Sequence, residues 1–301
     1  MGVSIYKIKK WWKMITGKSI HHVNQGVGTC YSKTAIEGYY NDLTEKVTRD
    51  DPDILVPKYC VDTGDEMYFP IGIFQYGLAA HDLFLKTNDE IYKKKTLACA
   101  NWAIENQQEN GGWITFAFED PEFPYSSMAQ GEGCSLLLRA MQLEDEEKYF
   151  ISAQKAIEFM LIPKNEGGTA EYVDEDVFLY EFSRQPLVLN GWIFSYWGMR
   201  DYAIATQNEA AQRTADAIAK TILKLLPDYD TGYWSKYDLN KRIASPFYHK
   251  LHIAQLNVMY DLTGYSGFRE YAEKWTKYGK NPFKKSRAFI KKVLEKIWEK
   301  N

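Results

Sequence analysis

No stretch of this 301-residue chain approaches the ~20 consecutive apolar residues that a membrane-crossing helix needs. Cysteine is scarce: Cys30, Cys60, Cys99 and Cys134 stand far apart without a CxxC pair. That argues against a zinc cage or a dense disulfide framework and suits reduced thiols in the cytoplasm. No P-loop, GxGxxG or HExxH pattern occurs, so nucleotide, dinucleotide and zinc-protease chemistry have no anchor. The net charge of -3 comes from interleaved acids and bases without a basic stripe, which leaves nucleic acid out as an expected partner. The N-terminus, MGVSIYKIKKWWKMITGKS, lacks the apolar core and cleavage site of an export signal. Its lysines and tryptophans fit a helix that packs on its own protein or lies on an anionic membrane surface, so peripheral membrane contact is kept as an expectation.

Aromatic residues are abundant, with 22 Tyr, 15 Phe and 9 Trp making 15% of the chain. Aromatic faces stack on the C–H faces of sugar rings, while Tyr and Trp add polar handles, so a carbohydrate ligand is consistent with this composition. From Ile71 onward two kinds of helical stretch alternate. IGIFQYGLAAHDLF, AQGEGCSLLLRAMQL, VLNGWIFSYWGMRDYA and YHKLHIAQLNVMYDL each carry a small residue early; the stretches that follow them have one apolar face and one charged face. Glycine-bearing loops at Gly111-Gly112-Trp113, Gly167-Gly168 and Gly232-Tyr233-Trp234 separate the pairs. The expected fold is mainly α, an incomplete α/α toroid of helical hairpins over residues 67–301. Residues 1–66 are expected to form an N-terminal helix and a small β-containing segment. The tail, KKSRAFIKKVLEKIWEKN, reads as a final amphipathic helix with Lys and Glu on a solvated face.

Polar residues gather where helices begin. SPFYHKLHIAQL places Tyr248, His249, Lys250 and His252 at a proline-opened helix start, and Tyr237 with Arg242 follows the Gly232 loop. Taken singly, each of these is as easily a half-buried packing residue. His249 and His252 are three apart, as in some metal sites, but no further ligand is identifiable, and His21-His22 reads as a surface pair; no metal or other cofactor is expected.

Several segments in one order carry a resemblance: YFPIGIFQYGL, NWAIENQQENGGW, YSSMAQGEG, VLNG, YDL after a Gly-Tyr-Trp loop, and YHKLHIAQL. Together they resemble the D-glucuronyl C5-epimerases of heparan sulfate and heparosan, from about Glu37 to Lys277. The resemblance implies abstraction of the C5 hydrogen of a glucuronate unit and reprotonation on the opposite face to give iduronate. It implies catalytic roles for Tyr248, Tyr237 and Glu181. Arg242, Lys250, His249, Tyr180, Gln130 and Trp113 are then the substrate-binding candidates, with Arg242 able to grip a carboxylate in a bidentate fork. Because an enolate-like species gathers negative charge, burial should raise Glu181 and a nearby cation should lower Tyr248.

Two departures stand out. Phe182 occupies a position where the family has a functional tyrosine, and Asn240 one where it has an arginine. Either the proton-transfer role moves to Glu181 or Tyr180 or the reaction is altered, and Arg242, two positions on, is the candidate replacement for the arginine. The family's N-terminal β-rich region is reduced, which implies a shorter or different glycan. Alternatives from neighbouring classes are a uronate polysaccharide lyase, which begins with the same proton abstraction, and a catalytically silent glycan-binding protein. The expected partner is a uronate-containing oligo- or polysaccharide, and a homodimer is kept as a further expectation.

Overall fold

The computed structural model describes residues 24–61, 64–240 and 242–298. The expected N-terminal helix, His21, His22 and Lys241, a candidate cation beside Arg242, lie outside those residues. The described chain is mainly helical with two small antiparallel sheets. A short helix α1 (Glu45–Thr48) and a hairpin of β1 (Tyr59–Cys60) with β2 (Glu66–Met67) precede the helical body. The body comprises α2 (Pro70–Thr87), α3 (Glu90–Asn106), α4 (Ser127–Leu143), α5 (Glu147–Met160), α6 (Leu189–Thr206), α7 (Glu209–Leu225), α8 (Pro246–Thr263), α9 (Ser266–Lys280) and α10 (Pro282–Trp298). All four cysteines are free. Among the described residues no helix is long and apolar enough to cross a membrane.

The helices pair as α2/α3, α4/α5, α6/α7 and α8/α9, and the first members pack in a row, α2 on α4, α4 on α6 and α6 on α8. Their composition explains the division. Every residue of α2 from Pro70 to Leu83 and of α4 from Ser127 to Ala140 is buried, so neither needs a polar stripe. Outer α7 instead buries Ala211, Ala215, Ile218, Ala219 and Ile222 at helical spacing and leaves its charges outside. Small residues set the inner spacing: a methyl added at Gly198 of α6 would come 2.3 Å from the backbone of Gly131 on α4. Gly111, at φ 89°, turns the chain out of the first pair with a conformation that side chains rarely adopt, and its added methyl would strike the Lys155 carbonyl at 2.4 Å.

Residues 36–59 join the same core through Ile36, Tyr39, Tyr40, Leu43, Val47 and Tyr59. A buried ionic cluster fixes them to the inner helices. Arg139 of α4 pairs with Asp201 of α6 at 2.7 Å with both side chains almost wholly enclosed. Arg139 also donates to the carbonyls of Glu37 and Gly38, and the Tyr40 hydroxyl donates to Asp201 at 2.6 Å.

A second hairpin, β3 (Ala170–Val173) with β4 (Asp176–Leu179), was not foreseen from the sequence. It packs on α7 and delivers the chain to Tyr180 and Glu181. The final helix also departs from expectation, because Lys292 is buried on its inner side while Phe283, Ile290 and Leu294 are exposed.

Candidate functional site

Three segments meet at the N-terminal ends of α6 and α8. The chain leaving β4 runs past the start of α4, where the Ser127 N–H donates to the Tyr180 carbonyl at 3.0 Å. This turns Glu181 toward α6, so close that a methyl at Gly191 would sit 2.3 Å from its Oε2. The loop after Trp234 lies antiparallel to the chain entering α6, with the Leu189 N–H donating to the Tyr237 carbonyl at 3.2 Å and the Leu239 N–H to the Leu187 carbonyl at 3.2 Å. Ser245 caps α8 by accepting the Tyr248 N–H at 3.3 Å, which fixes Tyr248 in the first turn.

The rings of Tyr237 and Tyr248 stand 4.8 Å apart, tilted by 58°. Arg242 places its guanidinium 5.5 Å from the Tyr237 ring centroid. It is held there by an ion pair to fully buried Asp238, which also accepts the backbone N–H of Asn240 and of Arg242. Asp238 therefore shapes the loop, and half-exposed Arg242 also donates from Nη2 to the Gln185 side chain at 3.4 Å. Glu181 is the buried member of the group, and Tyr237, Tyr248 and Arg242 are the half-exposed ones, so the set runs from interior to solvent.

Electrostatics couples these groups. Burial, helped by the nearby charge of Glu119 and opposed by Arg242, pushes the Glu181 carboxyl up to about 8. Among the described residues its Oε2 has no hydrogen-bond partner. Burial, with the charges of Glu181 and Tyr248 beside it, also drives Tyr237 well above the ordinary phenol range, which keeps it a donor at neutral pH. The first turns of α6 and α8 add positive dipole ends to the same corner.

The raised carboxyl carries a stability consequence. Glu181 holds its proton more tightly folded than unfolded, so its contribution is complete below the ordinary carboxyl range and is lost as pH rises through about 8. Thermal unfolding from pH 5 to pH 8.5 is expected to show wild type losing ground to Glu181→Gln across that interval, at up to about 1.4 kcal/mol per pH unit. Parallel curves for the two proteins would refute the assignment.

The other expected residues divide. Tyr180 is half-buried at the edge, its hydroxyl donating to Glu171 at 2.7 Å and Lys164 lying 3.6 Å over its ring. Lys250, two residues past Tyr248, faces solvent. Trp113, Gln130 and His249 were expected to touch substrate, and the structure instead spends their polar atoms inside the core. Trp113 donates to the Ala103 carbonyl, and Gln130 binds the Gly111 and Ala156 carbonyls and the Trp113 N–H. His249 stacks 3.6 Å from Trp234 and bridges Ser235 to the Trp275 carbonyl, with burial lowering it to about 4. His252 shares that serine, which places both imidazoles in packing roles. Phe182 stacks on Phe116 with centroids 4.2 Å apart, so the position lacking a phenol is filled by packing.

Three polar side chains behind Glu181 were missed from the sequence. Glu132 of α4 is fully buried, accepts from Gln75 at 2.8 Å and lies near enough to feel the charge of Glu181, while its second oxygen has no partner among the described residues. Asn190 adjoins Gly191, and Gln255 donates to the Asn190 carbonyl at 3.1 Å; the side-chain oxygens of both have no partner among the described residues. The only signal available was polar residues inside otherwise apolar helices, in MAQGEG and VLNG.

The family model described as D-glucuronyl C5-epimerase C-terminus matches residues 107–277. This chain belongs to that family. The matched span holds every site residue discussed above. A D-glucuronyl C5-epimerase of Caenorhabditis elegans is 29% identical over 210 residues, covering 60% of this chain and 34% of that protein. An uncharacterized protein of Methanocaldococcus jannaschii is 29% identical over 168 residues, covering 51% of this chain and 54% of that one. The chain thus spans about a third and about half the length of these two curated relatives.

Proposed function

We propose that this member of the C5-epimerase family inverts C5 of a D-glucuronate residue within a glycan, giving L-iduronate. The observation that carries the proposal is the convergence of Tyr237 and Tyr248, 4.8 Å apart, with a buried carboxyl at Glu181 whose Oε2 has no partner among the described residues. The C5 hydrogen is a weak acid, so its removal needs a base of high proton affinity and a site that tolerates an anion. An ordinary carboxylate is too weak a base; a carboxyl at about 8 still ionises to a useful minority at neutral pH and is far more basic.

In this mechanism the Glu181 carboxylate takes the C5 proton and the C–H electron pair passes into the substrate carboxylate. Arg242 and the N-termini of α6 and α8 stabilise the resulting enediolate. Tyr248 then donates its hydroxyl proton to the opposite face of C5, and solvent restores both groups. Tyr237, kept protonated, donates a hydrogen bond from between them. No redox change occurs.

Proton NMR of uronate-containing oligosaccharides incubated with the protein in heavy water tests the proposal. Deuterium is expected at C5 without chain shortening. An unsaturated, ultraviolet-absorbing product would identify a lyase, and absence of label from heparosan and chondroitin substrates alike would overturn the enzymatic assignment.

A further inference from the structure

The last helix is built inside out. Its contact with the body runs through Ala288, 3% exposed, and Lys292, 8% exposed, whose Nζ donates to the Ile243 carbonyl at 2.8 Å. At ~100° per residue, Phe283, Ile290 and Leu294 fall within one narrow stripe on the side opposite Ala288 and Lys292. They are 83%, 58% and 46% exposed, and Phe289 beside them is 45% exposed. Elsewhere in the fold the outer helices bury their apolar stripes, as α7 does. An outward stripe of large apolar residues marks an interaction surface.

Charge and shape select the partner. Between Pro282 and Glu295 the helix carries Lys284, Lys285, Arg287, Lys291 and Lys292 against the single acid Glu295. Exposed Arg287 and Lys291, ~40° and ~80° round the helix from Phe283, flank the stripe on one side. Phe289 and Ile290 also border a half-open cavity of about 430 Å³, whose wall is mostly apolar (Trp234, Ala244, Pro246, Ala288) with Lys285 and Ser286 at it. A second copy meeting this face about a two-fold axis would set lysine against lysine. The chain's own beginning is no better matched, because residues 1–36 contain Lys7, Lys9, Lys10, Lys13, Lys18 and Lys33 and no acid.

We propose that α10 seats this protein on an anionic lipid surface, with Phe283, Ile290 and Leu294 entering the interface and Arg287 and Lys291 meeting headgroup phosphates. Helix α10 lies beyond the span matched by the family model, and the proposal does not depend on the reaction proposed above.

The test is flotation of the full chain with vesicles of phosphatidylcholine alone and of phosphatidylcholine with phosphatidylglycerol. Binding is expected only to the anionic vesicles and is expected to weaken in high salt. Phe283→Ser/Ile290→Ser/Leu294→Ser should lower the partition coefficient by at least about tenfold with an unchanged thermal midpoint, since these side chains touch solvent rather than core. Arg287→Gln/Lys291→Gln should diminish the preference for anionic lipid. Unchanged binding by the triple variant overturns the proposal by placing attachment elsewhere. Failure of the wild type to float also overturns it, and a dimer that the triple variant dissociates would then assign the face to a second copy.

Discussion

Tyr248→Phe is expected to reduce deuterium incorporation at C5 by about 10²- to 10⁴-fold while binding of the oligosaccharide survives, the range set by loss of a positioned proton-transfer group. The phenyl ring keeps the 4.8 Å contact with Tyr237 and the backbone cap from Ser245, so the change is confined to the hydroxyl. Comparing exchange rates with binding measured by calorimetry separates the outcomes. Parallel loss of exchange and affinity would make Tyr248 a binding residue, and undiminished exchange would remove it from the proton path. Failure here is distinct from failure of the vesicle test, because α10 and Tyr248 lie on different elements with different readouts.

Arg139→Ala should cost about 3–5 kcal/mol in urea unfolding, the cost of leaving a buried carboxylate without its partner. Asp201 is fully enclosed and among the described residues would keep the Tyr40 and Ser135 hydroxyls as hydrogen-bond donors, with the Arg200 charge nearby. The Glu37 and Gly38 carbonyls would lose their donors in the same step. Arg139→Met combined with Asp201→Leu should recover most of the loss, since an apolar pair removes both desolvation penalties. A single variant within about 1 kcal/mol of wild type would show that water replaces the guanidinium there.

The helical body was legible because its two patterns are both periodic: runs buried on all sides for α2, α4 and α6, and single stripes for their partners. The β3/β4 hairpin was not, because the acidic run Asp174-Glu175-Asp176 reads as loop and hides the short strands on either side. At the site, ordered resemblance drew attention to Tyr248, Tyr237, Glu181 and Arg242, which the fold brings together. Trp113, Gln130 and His249 belong to the same motifs but build the corner from behind, and sequence adjacency cannot distinguish a residue that lines a site from one that supports it. Lys250 shows the complementary limit: two positions on a helix turn a side chain through ~200°, away from its neighbour's face. For α10 the amphipathic period was evident, but which stripe faced inward depended on the backbone groups of Ile243 awaiting a lysine and a glutamate.

That last arrangement works as a lever. Glu295 and Lys292 hold the two polar groups of Ile243, the neighbouring Arg242 carbonyl accepts the Tyr237 N–H at 2.7 Å, and Lys284 grips the Gly232 carbonyl at the far end of the same loop. A pull on the tail is thus carried by a few successive bonds to an arginine and a phenol near Glu181. Anchoring one end of the molecule would steady the other.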